Sequence, residues 1–211
     1  MEELQHVINF GTEIVQGNML FSILALALAV VFLLGFRFLH SYRRLKKLKA
    51  ETDKSWSNIQ TLLTQRNNEI PKLLGTCREA FEKHDQQILE KLVSARKHIG
   101  SASSSGDIGK LGIAEGMIRQ ELGKVFKKSE EYPDLIGEQN FKMMKAKVNG
   151  YNNAITDRRE HYNNMVKETN MRLNRKTGNM AAGMLGVESR DELTVQMEEL
   201  GTNDLSTLFA S

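Results

Sequence analysis

Residues 19–36 read MLFSILALALAVVFLLGF, a run without a charge, and Phe38 and Leu39 prolong it past Arg37. A helix needs roughly 20 apolar residues to cross a hydrocarbon core of about 30 Å, so the stretch predicts a transmembrane helix over residues 19–39. An uncharged run this long exceeds the usual buried helix of a soluble protein. It also lacks the form of a cleaved signal peptide, because residues 1–18 carry Glu2, Glu3 and Glu13 with no Lys or Arg, and no small-residue cleavage site follows.

The flanks set an expected orientation. Arg37, Arg43, Arg44, Lys46, Lys47 and Lys49 follow the span and no basic residue precedes it. Positive charge stays on the cytoplasmic side, so residues 1–18 are expected to be a short extracytoplasmic N-terminus. The rest is then cytoplasmic, in a single-pass protein of the inner cell membrane. The six cations also face anionic headgroups, each contributing about 1 kcal/mol, although their role as a topology signal alone accounts for them. The chain's net charge is only +3 and its excess lies in this cluster, which argues against nucleic acid as a partner.

Beyond the span, the sequence reads as helix throughout. Only two prolines occur in 211 residues, and Leu, Lys, Glu, Met and Ala lose little rotamer freedom in helices. Leu45, Leu48, Thr52, Trp56, Ile59 and Leu63 continue the helix out of the membrane on one stripe. Pro71 disfavours helix at Ile70, so Asn67–Ile70 is expected to be a turn, with a kinked continuous helix as the alternative. A second stripe runs Leu74, Cys77, Phe81, His84, Ile88, Leu92, Ala95 and Ile99. GSASSSG at 100–106 is expected to be a flexible break, and Asp107 to cap a third helix bearing Ile108, Leu111, Ala114, Ile118, Leu122, Val125, Ser129 and Tyr132. Pro133 ends that helix. The fourth carries Phe141, Met144, Val148, Tyr151, Ile155, Arg158, Tyr162, Met165 and Thr169, steps of three and four that read as a coiled-coil heptad seam.

The expected fold is therefore all-α: one N-terminal transmembrane helix continuing into an antiparallel four-helix bundle of long helices over residues 40–176. Residues 177–211 are expected to form a mobile tail, with Ser189 and Glu192 as the capping box of a short acidic helix ending near Leu200.

Several motifs in order carry a resemblance: Tyr42 after the span, Trp56, QRNNEIPKLL at 65–74, EEYPDL at 130–135, Asn140–Phe141, and DRREHYNNMV at 157–166. Together they resemble the LemA family over Leu39–Leu173. Asn179, Ala182, Gly183 and Gly186 follow the family's pattern weakly, but its later aromatic and proline residues are replaced by Glu188–Glu192. The resemblance implies an anchored helical bundle with its bulk in the cytoplasm and little defined chemistry. It also admits a specialised MamQ-like role in building magnetosome membranes.

Candidate sites are few. A di-iron bundle requires Glu-x-x-His pairs on facing helices, and the one such spacing, Glu3 to His6, precedes the apolar run rather than lying in the bundle; no phosphate loop, zinc spacing or serine elbow appears. No metal, cofactor or catalytic residue is expected. Cys77 cannot close an intrachain disulfide and reads as a small buried hydrophobe; His84 reads as a core or interface histidine. Arg158 falls on the fourth helix's seam, where a buried charge needs partners. Snorkelling to the surface is the preferred expectation, and a buried ion pair beside Asp157, Arg159, Tyr162 and Asn163 the alternative. Arg158, Arg159, Tyr162 and Asn163 form the candidate polar patch. The reading favours a membrane-anchored, non-enzymatic scaffold or adaptor that uses the lipid bilayer and an unidentified protein partner, and is compatible with a homo-oligomer. Its alternatives are a ligand-sensing or magnetosome-type membrane-biogenesis protein and, less favoured, a membrane-attached enzyme.

Overall fold

The computed structural model describes the backbone of residues 2–195 and the side chains of residues 21–195. Every regular element among them is helical: α1 (Glu2–Ala80), α2 (Gln86–Ser105), α3 (Ile108–Ser129), α4 (Pro133–Gly137), α5 (Gln139–Leu173) and α6 (Lys176–Leu185). α1 contains the one segment among the described residues long and apolar enough to cross a membrane. From Phe21 to Phe36 its side chains are exposed, Phe32 at 72%, unlike those of a helix that packs its apolar face into its own chain's core.

Two compact units divide the chain: Met1–Lys47 with Arg172–Glu188, and Leu48–Met171 with the segment from Ser189 onward. In the first, Leu45, Ala181 and Ala182 are buried, and Phe38, Tyr42, Leu173, Leu185 and Val187 pack around them. In the second, one core draws on Ile59, Leu63, Ile70, Leu73 and Cys77 of α1, Leu89, Leu92 and Ile99 of α2, Leu111, Ile118 and Leu122 of α3, and Phe141, Val148, Ile155 and Tyr162 of α5. Burial of each large side chain contributes about 1.5–3 kcal/mol relative to exposure. The expected stripes supply most of these positions.

Four expectations require correction. Asn67–Ile70 is not a turn: α1 runs through Pro71 to Ala80, the continuous-helix alternative. The proline removes a backbone donor to the Asn67 carbonyl, and Arg96 Nε supplies one instead at 3.0 Å. The reversal comes at residues 81–85, which places His84 in the turn with its side chain 70% exposed rather than on an apolar face. The Gly100–Gly106 break contracts, because α2 continues to Ser105 and closes on left-handed Gly106. Ala102 is buried at 1% and joins the core, so packing holds a segment of weak propensity. Asp107 does cap α3, accepting from the Lys110 N–H at 2.9 Å.

The third correction concerns α5. Phe141, Val148, Ile155, Tyr162 and Thr169 are buried at steps of seven, but the intervening row drifts: Met144 is buried, Tyr151 half-buried and Arg158 exposed, while Val166 is buried. An α-helix turns once in 3.6 residues, not 3.5, so a heptad row without a matching supercoil rotates out of the interface. Arg158 therefore stands at the surface, and the seam is not a strict heptad.

Nor does the chain become a helix at Ser189. Residues 187–195 are non-helical. The expected end of the tail helix near Leu200 lies outside the described residues.

Candidate functional site

The buried cation among the described residues is Arg66 of α1, while Arg158 is exposed, the preferred expectation for it. Arg66 is 0% exposed and Glu115 of α3 is 1% exposed. Arg66 Nη1 donates to Glu115 Oε1 at 2.8 Å and to Asn152 Oδ1 at 2.9 Å, and Nη2 donates to Glu115 Oε2 at 2.5 Å. Arg119, one turn after Glu115, adds Nε to Oε1 at 2.7 Å and Nη2 to the Asn152 carbonyl and Thr156 Oγ1 of α5 at 3.0 and 2.9 Å. Burial pushes the Glu115 carboxyl upward, but the charges and hydrogen bonds of Arg66 and Arg119 outweigh it and hold the group below its ordinary value. The bidentate fork fixes α1 against α3, and Asn152 and Thr156 extend the constraint to α5. A one-residue slip of any of these helices would strand a charge, so the network acts as a register lock.

The second arrangement is a strap. Beyond Glu188 the chain lies along α5, where Asn170 Nδ2 donates to the Arg190 carbonyl at 2.8 Å and its Oδ1 accepts the Arg190 N–H at 3.2 Å. Asn163 does the same to Leu193, at 3.1 and 2.9 Å. The spacing follows from geometry: seven helical residues rise about 10.5 Å and three extended ones about 10 Å. Leu193 is 1% exposed and enters the core. The Thr194 carbonyl lies against Gly112 of α3, where a Cβ would come within 2.1 Å of its oxygen. Arg190 Nη2 also pairs with Asp53 of α1 at 2.6 Å.

The candidate patch is thus split. Tyr162 is buried, packs against Trp56 with ring centroids 5.3 Å apart and planes tilted by 43°, and its hydroxyl donates to the Asp191 carbonyl at 3.4 Å. Asn163 clamps the strap, Arg159 is half-buried, and Arg158 is exposed.

The LemA family model matches residues 55–206. The chain belongs to the LemA family. No curated protein matches it. The matched region contains both the register lock and the strap.

The LemA motifs acquire physical meaning here. QRNNEIPKLL supplies the buried Arg66 and the Asn67–Pro71 pair. EEYPDL supplies Tyr132, whose hydroxyl donates to Asp85 Oδ2 at 2.5 Å and accepts the Glu82 N–H at 3.2 Å, while its ring stacks on Phe81 at 4.9 Å. That hydrogen bond from Tyr132, opposed by partial burial and aided by Lys128, keeps the Asp85 carboxyl below its ordinary range. Tyr132 thus closes the α1–α2 reversal from the far end of α3. Of the flanking cations, Arg37, Arg43, Arg44, Lys46 and Lys47 are exposed and Lys49 half-buried. Cys77 is fully buried, and burial pushes its thiol up to about 12, the environment of an inert packing cysteine.

Proposed function

We propose that this LemA protein is a membrane-anchored, non-enzymatic scaffold. α1 crosses the inner membrane once, and an antiparallel four-helix bundle of α1, α2, α3 and α5 stands on the cytoplasmic side to receive a protein partner. The observation that carries this reading is the outward face of α6. Met180 and Met184, one turn apart, are 66% and 70% exposed while Ala181 and Ala182 are buried on the opposite side. Flexible, polarisable methionines exposed in pairs suit a protein-binding surface. The register lock also favours a scaffold over a ligand sensor, since both Nη atoms of Arg66 and both carboxylate oxygens of Glu115 are engaged within it and hold the helices in one arrangement.

A photocrosslinker placed at Met180 or Met184 in native membranes is expected to give a discrete adduct, lost when the neighbouring methionine becomes Glu. A crosslinker at exposed Glu160 should give none. Adducts indistinguishable between the two faces would sink the assignment.

A further inference from the structure

Just past the apolar span, α1 and the α5–α6 corner enclose a cleft of about 640 Å³, lined by Arg37, His40 and Ser41 on one wall and Arg172, Arg175 and Lys176 on the other, with Thr177 beside them. Three arginines and a lysine line it, from segments 135 residues apart in sequence, Arg37 to Arg172. The corner depends on Gly178, where a Cβ would lie 1.9 Å from the Arg172 carbonyl oxygen. α6 starts at Lys176 behind an N-cap, Arg175, that makes no side-chain cap, so the helix's first N–H groups add partial positive charge at the residues of this wall.

The position of the cleft identifies its occupant. Arg37 follows Phe36, the last residue of the uncharged run, and Arg37 to Ser41 rises about 6 Å. The headgroup layer is about 5–7 Å deep on each side of the hydrocarbon. The α1 wall therefore stands at the depth where lipid phosphates lie, given that the apolar run spans the membrane. Guanidinium groups hold phosphate bidentately.

We propose that this cleft binds the phosphate of an anionic phospholipid headgroup. A soluble phosphate shares the chemistry, but lipid phosphate is presented at this depth at high local concentration. The arrangement differs from general attraction to a charged surface, because Arg43 and Lys46 are exposed on the same helix yet do not line the cleft.

The full-length protein, reconstituted in nanodiscs of phosphatidylcholine and phosphatidylglycerol and released for native mass spectrometry, tests this. Phosphatidylglycerol should be retained in preference to phosphatidylcholine. Arg175→Glu with Lys176→Glu should lower that retention about tenfold or more, whereas Arg43→Glu with Lys46→Glu, an equal change of charge, should alter it by less than about twofold. Gly178→Ala, which changes no charge, should also lower it by opening the corner, with the helical melt of the rest retained. Equal losses from the two charge reversals, or equal retention of both lipids, would overturn the proposal. If inorganic phosphate alone, added to lipid-free protein in detergent, binds at the cleft and displaces phosphatidylglycerol, the site belongs to a soluble anion and the lipid assignment fails. Release of the wild-type chain from membranes by alkaline carbonate would instead refute the span on which the depth argument rests.

Discussion

Arg96 of α2 donates its Nε–H to the carbonyl oxygen of Asn67 at 3.0 Å, the acceptor that Pro71 leaves without its helical donor four residues on. A proline that would ordinarily end a helix is absorbed because a side chain from the next helix replaces the missing bond. The same part-buried contact ties α2 to α1.

Arg96→Met should therefore cost about 1–2 kcal/mol by leaving that carbonyl unsatisfied. Pro71→Ala restores a backbone donor, so Arg96→Met should cost about 1 kcal/mol less in the Pro71→Ala background than in the wild type. Denaturant melts of the four proteins in detergent provide the cycle, and strict additivity would refute the compensation.

Much of the fold was legible because its signals are local: the long apolar helix, the helical stripes and buried Cys77 follow from apolar spacing, and the Asp107 cap from its residue type. Pro71 misled because its remedy, Arg96, is 25 residues away in sequence and no local rule pairs them. Arg66 was hidden for a related reason. It sits on the α1 stripe between Leu63 and Ile70, and a charge there reads as an interruption of the stripe until Glu115 and Arg119 are seen opposite it. Arg158 stands at the surface, as the preferred expectation had it, but through rotation of its row along α5 under the 3.6-residue period rather than by snorkelling from a heptad seam. The strap was illegible because its partners are asparagine amides and a glycine, which carry no periodic signature.

The register lock makes a prediction about acid. Glu115 has a lowered native pKa, since burial is outweighed by Arg66 and Arg119. A carboxyl lowered on folding contributes stability that is full above its ordinary value of 4.5 and is lost as pH falls through the native value. Glu115→Gln should remove this part of the acid sensitivity, and at neutral pH should cost on the order of 3–5 kcal/mol by stranding Arg66. Replacing both, Arg66→Met with Glu115→Leu, should recover most of the loss. Exposed Arg158→Met should change stability by less than about 1 kcal/mol. Urea midpoints across the acid range distinguish these outcomes, and an unchanged pH profile for Glu115→Gln would refute the role assigned to it.

The proposed orientation is tested by a reporter fused after Ser211. Six basic residues follow the span and none precedes it, so a cytoplasmic reporter should be active and a periplasmic one silent. Moving Arg43, Arg44, Lys46 and Lys47 to the N-terminal side should weaken or invert that pattern. Periplasmic activity of the unaltered chain would reverse the assignment.

The strap can be released at either of two independent places, which makes its structure separable from the stability of the core. Asn163→Ala removes both bonds to Leu193, and Asn170→Ala both bonds to Arg190; each should cost about 1–3 kcal/mol, paid mainly by detachment of residues 189–195. Gly112→Ala acts from the other side, because the new methyl group would meet the Thr194 carbonyl at 2.1 Å and the backbone there must withdraw. Withdrawal pulls Leu193 from the core, so the Gly112 variant should also lower the melting midpoint. Hydrogen exchange followed by proteolytic mapping should show faster exchange at Leu193 in all three variants, while α2 amides around Leu92 stay protected. Unchanged exchange at Leu193 in Gly112→Ala would show that the strap does not rest on α3, whereas loss of protection throughout α2 would show that strap and core unfold as one unit.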